Sequence, residues 1–388
     1  MFRRFAQITL IVIFCVLLIE LVTRSFFAWR VGPSVFAYGT PFYRSAAPSP
    51  EPNPLRTPDE IRTVQMHENE LAGYSKYQPR EVRYDVDPAT GERFQVTINN
   101  LGFRGRDIKQ GKRPNVIRVV TLGASSTFGY YSRDAYTYPM QLEGMLNELS
   151  AREFEVINLG IPHLAAAEIE ALFVAEALPL QPDIVTFYEG NNDSARLWEF
   201  IRDGSPPSKL KSVREFFGTY LVIAGLVNSI LGGLEEESPT IETEMEAAAA
   251  QLSARFLKSI EQIAAECRRR GILFVVSNQQ KRSDILEREQ LAGVTMQDEL
   301  ELIKAKVAKG QPLARYERHL FVQTILMGDL KNWAVSADVP FVDAITAMDQ
   351  ERDNILTHVH LSQRGNEIVA RQFSEAIVAN LGNAANKE

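Results

Sequence analysis

The sequence predicts an α/β domain: a mainly parallel sheet with helices on both of its faces. Three observations carry that expectation. Short runs rich in β-branched residues recur at 116–122, 154–158, 183–188, 272–277 and 339–342. Stretches with helical character fall between or after them, at 139–149, 165–178, 246–270 and 366–381. Most of the runs end in glycine, serine or asparagine, the residues of tight turns and helix starts. Strands that alternate with helices are joined by crossovers, which set the strands parallel and cover the sheet above and below.

The first run, VIRVVTL, reads as a buried strand. Gly123 permits a tight exit, and Ser125, Ser126 and Thr127 are residues that start helices. A serine at this corner places its hydroxyl at the carboxyl edge of the sheet, where open α/β sheets hold ligands. The same hydroxyls can also do no more than cap a helix. Helix 139–149 carries proline in its first turn. The second strand, FEVIN, ends in Leu159-Gly160, and an alanine-rich helix follows. The third, DIVTFY, runs into Glu189-Gly190-Asn191-Asn192-Asp193. A long amphipathic helix stops at Gly271, and ILFVVS is the fourth strand.

Other segments frame this domain, which is expected over 116–388. Residues 5–22 are mostly apolar and follow Arg3 and Arg4. A helix that long spans most of a bilayer core. Phe26, Phe27 and Trp29 suit an interfacial belt. No small-x-small cleavage site follows, so residues 1–30 read as an uncleaved single-pass anchor in the inner or plasma membrane. The short N-terminus is expected in the cytoplasm and the body on the exported side. Residues 31–59 are a proline-rich spacer. Residues 60–115 contain a β-hairpin around DPATGE, then NNLGFRGRD, to which no chemistry is assigned. Two helical inserts are expected: 205–237 as a lid or core helix, and 282–330, which is highly charged, as a solvated cap.

Composition removes several classes of function. Of 388 residues, 45% are hydrophobic and 23% charged, which allows a sizeable core. The formal net charge is −7 and no basic stripe appears, so nucleic acid is not an expected partner. Two cysteines, Cys15 and Cys267, exclude a disulfide framework and a cysteine-rich zinc site.

In a parallel sheet the strand ends meet at one edge. There the chain collects Ser125, Gly160, Asn192 and, after the fifth strand, His360 in THVHLSQRGNE. These supply a nucleophile, oxyanion donors and a base, the inventory of acyl transfer. Each also has an ordinary use: Gly160 in a turn, Asn192 in an Asx turn, His360 on the surface or at a cap. His358 and His360 form an H-x-H pair, but no cysteine or further histidine lies near it, and neither metal nor cofactor is expected.

Four blocks, in order, resemble those of the SGNH (GDSL-type) hydrolase superfamily: Gly123-Ala124-Ser125-Ser126-Thr127, Asn158-Leu159-Gly160, Gly190-Asn191-Asn192-Asp193, and His360-Leu361 with Gly365. The resemblance implies a flavodoxin-like three-layer α/β/α sandwich. It implies Ser125 as nucleophile, Gly160 and Asn192 as oxyanion donors, and His360 as base. The lead-in NNLGFRG resembles that of exported members acting on bacterial surface polysaccharides. The substrate implied is an acylated carbohydrate or small ester, cleaved by hydrolysis or passed on by O-acyl transfer. The chain departs from the family in one place: Thr357 stands where an aspartate usually precedes the histidine by three residues, and Asp353 lies further upstream. A neutral acceptor for the imidazole is therefore expected, either Thr357 or a backbone carbonyl. The missing aspartate also fits a non-catalytic polysaccharide-binding or assembly scaffold, against which the intact Ser125 and His360 argue.

Overall fold

The structure is a computed structural model that describes residues 15–25, 67–69, 74–88, 90–109, 111–196 and 242–385. The chain divides into two compact units, Met1–Val64 with Arg202–Ser238, and Gln65–Ile201 with Pro239–Glu388. In the first unit, residues 15–25 are helical. The remainder of the expected anchor, the spacer at 31–59 and the insert at 205–237 lie outside the described residues. Among the described residues no helix is long and apolar enough to cross a membrane.

The second unit is built on a five-stranded sheet, every neighbouring pair of which is parallel. Its strands are β5 (Val116–Gly123), β6 (Glu153–Asn158), β7 (Ile184–Tyr188), β8 (Leu273–Ser277) and β9 (Phe341–Val342), in the order β6-β5-β7-β8-β9. The chain runs outward from β5 to β6, then crosses back past β5 to β7. That reversal makes the carboxyl ends of β5 and β7 the switch point, where a flavodoxin-like sheet opens a crevice.

Alternate residues of each strand enter different cores, as the two-residue period requires. On one face Val120, Leu122, Val185, Phe187, Phe274 and Val276 pack with α3 (Ala166–Leu172), α5 (Glu242–Arg270) and α7 (Arg315–Ser336). On the other, Val119, Ile184, Tyr188 and Val275 meet α2 (Tyr138–Leu149), α8 (Ala344–Met348) and α9 (Gln363–Ala385). The remaining helices are α1 (Ser125–Phe128), α4 (Asn191–Ala195) and α6 (Met296–Ala308). After α3 the chain continues through a single π turn, Phe173–Ala177.

The hairpin expected in the lead-in is β3 (Val82–Val86) against β4 (Arg93–Thr97). Gly91, at φ +69, supplies the left-handed residue of its turn. A second antiparallel pair, β1 (His67–Asn69) with β2 (Tyr74–Lys76), had no expectation in the sequence.

The reading of 282–330 as a solvated cap requires correction. Leu320, Phe321, Val322, Leu326, Met327 and Leu330 of α7 lie in the main core. Part of the charge is internal as well: Glu299, Glu317 and Arg318 are buried. Glu299, fully buried, pairs with buried Arg352, and Lys306 pairs with Glu317 at 2.8 Å. A high charge count signals a solvated helix only when the charges lack partners, and here several are matched inside the fold.

Candidate active site

The corner after β5 depends on a glycine. A Cβ on Gly123 would lie 2.0 Å from Thr127 Oγ1 and 2.5 Å from the Tyr188 carbonyl, so no other residue fits. Ala124 occupies the N-cap position of α1, which makes Ser125 the first helical residue and frees its hydroxyl from capping. Ser125 Oγ lies 2.9 Å from His360 Nε2. Its own N–H, at the first position of α1, has no acceptor within that helix. Gly129, at φ +92, ends the helix after one turn, and its N–H returns to the Ser125 carbonyl at 2.9 Å.

His360 sits in a small loop closed by the bridge between Ile355 and Leu361 and by Leu356 N–H donating to the His360 carbonyl at 2.8 Å. Its Nδ1 lies 2.9 Å from Thr357 Oγ1, which also accepts the His360 backbone N–H at 3.2 Å. For Nε2 to accept the Ser125 proton, Nδ1 must carry the ring hydrogen, with Thr357 as its acceptor. Arg282 braces the loop, donating from Nε to the Thr357 carbonyl at 2.6 Å and from its backbone N–H to the His358 carbonyl at 2.9 Å. Tyr130 and Tyr131 present ring edges to the imidazole, with centroids 5.3 and 5.4 Å away. Burial pushes the His360 pKa down to about 3, with positive charge on His163, His358 and Lys281 acting in the same direction. Among the described residues no carboxylate opposes them. The imidazole is thus neutral, with Nε2 facing the Ser125 hydroxyl, and the imidazolium it would become has no charged partner among the described residues.

Asp353 is exposed on the 3-10 turn Arg352–Asn354, while both ring nitrogens of His360 are engaged by Ser125 and Thr357. The H-x-H pair is divided. His358 Nε2 lies 2.8 Å from Asp284 Oδ1, and its ring stacks on Tyr316. Among the described residues no group of three or more His, Cys, Asp or Glu side chains could hold a metal ion.

The two expected oxyanion donors differ in availability. Asn192 Nδ2 gives one hydrogen to the Leu164 carbonyl at 2.8 Å and has a second to offer. Its backbone N–H donates to Glu189 Oε1 at 2.7 Å. Gly160 lies against α1, where a Cβ would come 2.3 Å from Phe128 N. Its N–H, however, donates to Asn158 Oδ1 at 2.8 Å, and Asn158 Nδ2 in turn donates to the Thr127 carbonyl at 2.9 Å. Gly160 therefore lies beside α1 with its amide already engaged.

Arg104, in the NNLGFRG segment, is a site residue the sequence did not assign. It is buried, and its Nη1 donates to the Phe128 and Gly129 carbonyls at 3.1 and 2.6 Å. Nη2 donates to the Ser132 carbonyl, and Nε to Asp134 Oδ1 at 2.9 Å. The guanidinium thus collects the carbonyls at the end of the Ser125 turn. The motif folds for this purpose: Asn99 Oδ1 accepts the amides of Leu101 and Phe103 at 2.9 and 3.1 Å, and Gly102 adopts φ +85 where a Cβ would strike the Tyr77 carbonyl.

Neither a family profile nor a curated protein matches the chain. Among solved structures it is similar to GDSL-type lipolytic hydrolases and carbohydrate esterases. One is a GDSL-like lipase from Bacteroides thetaiotaomicron, at 13% identity over 70% of this chain and 93% of that one, with a TM-score of 0.38. Another is the lipase/acylhydrolase of Enterococcus faecalis, at 15% identity over 68% and 96%, with a TM-score of 0.38. A third is a carbohydrate acetylesterase family member from Sinorhizobium meliloti, at 16% identity over 69% and 99%, with a TM-score of 0.39.

Proposed function

We propose that the chain is a serine-dependent acyl-ester hydrolase of SGNH type. The observation that carries this reading is the continuous contact Ser125–His360–Thr357, with both links at 2.9 Å. Ser125 Oγ attacks the acyl carbon while His360 Nε2 takes its proton, and Thr357 Oγ1 holds the ring through Nδ1–H. The Ser125 N–H and the free hydrogen of Asn192 Nδ2 receive the oxyanion. Gly160 joins them when its amide leaves Asn158. Collapse of the tetrahedral intermediate passes the proton from His360 to the leaving alkoxide and leaves the acyl group on Ser125. His360 then deprotonates a second acceptor, whose attack frees the serine. Water gives hydrolysis and a sugar hydroxyl gives O-acyl transfer, so one site serves both.

For substrate we propose acylated carbohydrate, met outside the cytoplasm, with residues 1–30 holding the protein to the membrane. The apolar run at 5–22 and the aromatic residues behind it support the anchor. A reporter fused after Glu388 is expected to be active only on the exported side; activity only in the cytoplasm would refute that placement.

The activity test is turnover of acetyl esters by the full chain and by Ser125→Ala, with free acetate and acetylated acceptor measured separately. Turnover lost in the variant supports the enzyme. A second reading, the non-catalytic scaffold, is favoured by the uncharged Thr357 and the engaged Gly160 amide. Absence of turnover across acetylated sugars, with binding to the same glycans retained in Ser125→Ala, would replace the first reading with the second.

A further inference from the structure

Two asparagines open α4, and the chemistry expected of the second depends on the first. Asn191 Oδ1 accepts a hydrogen bond from Nζ of Lys281, a side chain buried in the loop after β8. Asn191 Nδ2 donates to Asn192 Oδ1 at 3.3 Å. Asn192 Nδ2 donates to the Leu164 carbonyl at 2.8 Å. We infer that Lys281 is a positioning residue: acting through Asn191, it orients the Asn192 amide so that Nδ2 faces the oxyanion site. This rests on the hydrolase reading above.

The reasoning turns on the shape of an amide. Its oxygen and nitrogen are nearly the same size, so packing alone does not choose between the two orientations; hydrogen bonds do. An ammonium only donates, and a backbone carbonyl only accepts. With a donor fixed at one end and an acceptor at the other, the two amides between them have a single consistent direction. Turning Asn192 over would set its oxygen against the Leu164 carbonyl and its nitrogen against Asn191 Nδ2. It would also present a lone pair to the oxyanion. The backbone beneath both side chains is pinned: the Asn191 N–H donates to Gln279 Oε1 at 2.9 Å and the Asn192 N–H to Glu189 Oε1 at 2.7 Å. The Leu164 carbonyl fixes one end of the pair and Lys281 the other, holding the Asn191 amide so that its N–H meets Asn192 Oδ1. Burial pushes the Lys281 pKa down to about 7, with Glu189 opposing the fall and Arg315 adding to it, and the amine as well as the ammonium has an N–H to donate to Asn191 Oδ1.

Two full-chain variants test the relay. Lys281→Met keeps the length of the side chain and removes the donor. Asn191→Asp keeps an acceptor for Lys281 and removes the N–H that reaches Asn192. Each is expected to lower kcat about 10- to 100-fold with KM within about twofold, less than the 10²- to 10³-fold cost of deleting an oxyanion donor outright. In an Asn192→Ala background Lys281→Met is expected to cost nothing further, because the relay has lost its end. A full additional loss there, or parent-like kcat in Asn191→Asp, overturns the proposal. A readout independent of turnover is the side-chain amide signal of Asn192 in asparagine-labelled protein. It is expected to shift in Lys281→Met, and an unmoved signal overturns the relay. If the parent turns over no ester the hydrolase reading fails, while the amide signal still decides whether Lys281 orients Asn192.

Discussion

Replacing Thr357 by valine tests how a serine site works with no carboxylate behind its histidine. Valine keeps the shape of threonine, so the change removes one oxygen and opens no cavity. That oxygen lies 2.9 Å from His360 Nδ1 and 3.2 Å from the His360 backbone nitrogen. Without it the ring N–H has no acceptor in its place, at a cost of about 1–3 kcal/mol. The ring can avoid that cost only by moving its hydrogen to Nε2, where it can no longer receive the proton of Ser125. By either route the barrier rises by a similar amount, which is roughly 5- to 150-fold in kcat. The loss stays below the roughly 10⁴-fold cost of neutralising the aspartate of a charged triad, since threonine has no charge to lose. Thr357→Asp is the converse change. A carboxylate about 4 Å from the imidazolium attracts it by about 4 kcal/mol at an effective dielectric of 20, before the cost of burying the new charge. It is expected to raise the His360 pKa from about 3 and to increase kcat. The assay is kcat and KM on an acetyl ester, with Tm recorded to show that each variant is folded. The reasoning is refuted if Thr357→Val keeps the parent kcat, or if Asp353→Asn costs as much as His360→Ala.

Two other outcomes follow from the geometry. Arg104→Met takes a buried donor from each of the Phe128, Gly129 and Ser132 carbonyls, so the denaturant midpoint is expected to fall by the equivalent of about 2 kcal/mol, with Ser125 reacting more slowly; a parent-like midpoint would show that the clamp is unimportant. The His360 ring signal is not expected to titrate between about pH 5 and pH 8. Its folded-state pKa lies below the unfolded value of about 6.5, so the native state binds fewer protons in that range, and stability falls as pH drops from about 6.5 towards 3. His360→Gln is expected to flatten that part of the stability curve, and an unchanged slope would assign it to other groups.

Much of this site was legible because its residues stand where the chain changes direction. The β-branched run before Gly123 and the small residues after it announced a strand and its exit, and Thr357 stood at the spacing from which an acceptor reaches Nδ1. The Ser125–His360 contact followed from block order and a parallel sheet. Arg104 was not legible in the same way. Apart from Asp134, its acceptors are backbone carbonyls 24 to 28 positions further along the chain, and a carbonyl leaves no mark in a sequence. The engagement of Gly160 was hidden for a related reason: glycine announces a close approach, but not that Asn158 takes its N–H. The role of α7 was obscured by the charge of the whole 282–330 segment, in which Glu317 and Glu299 are paired inside the fold.

The central claim is that Ser125, activated by His360, is the nucleophile. A fluorophosphonate probe followed by peptide mass mapping tests it most directly. The expected result is one adduct on Ser125 that is absent in Ser125→Ala and greatly slowed in folded His360→Ala. An adduct on Ser126, labelling indifferent to His360, or no adduct in the folded parent would contradict it.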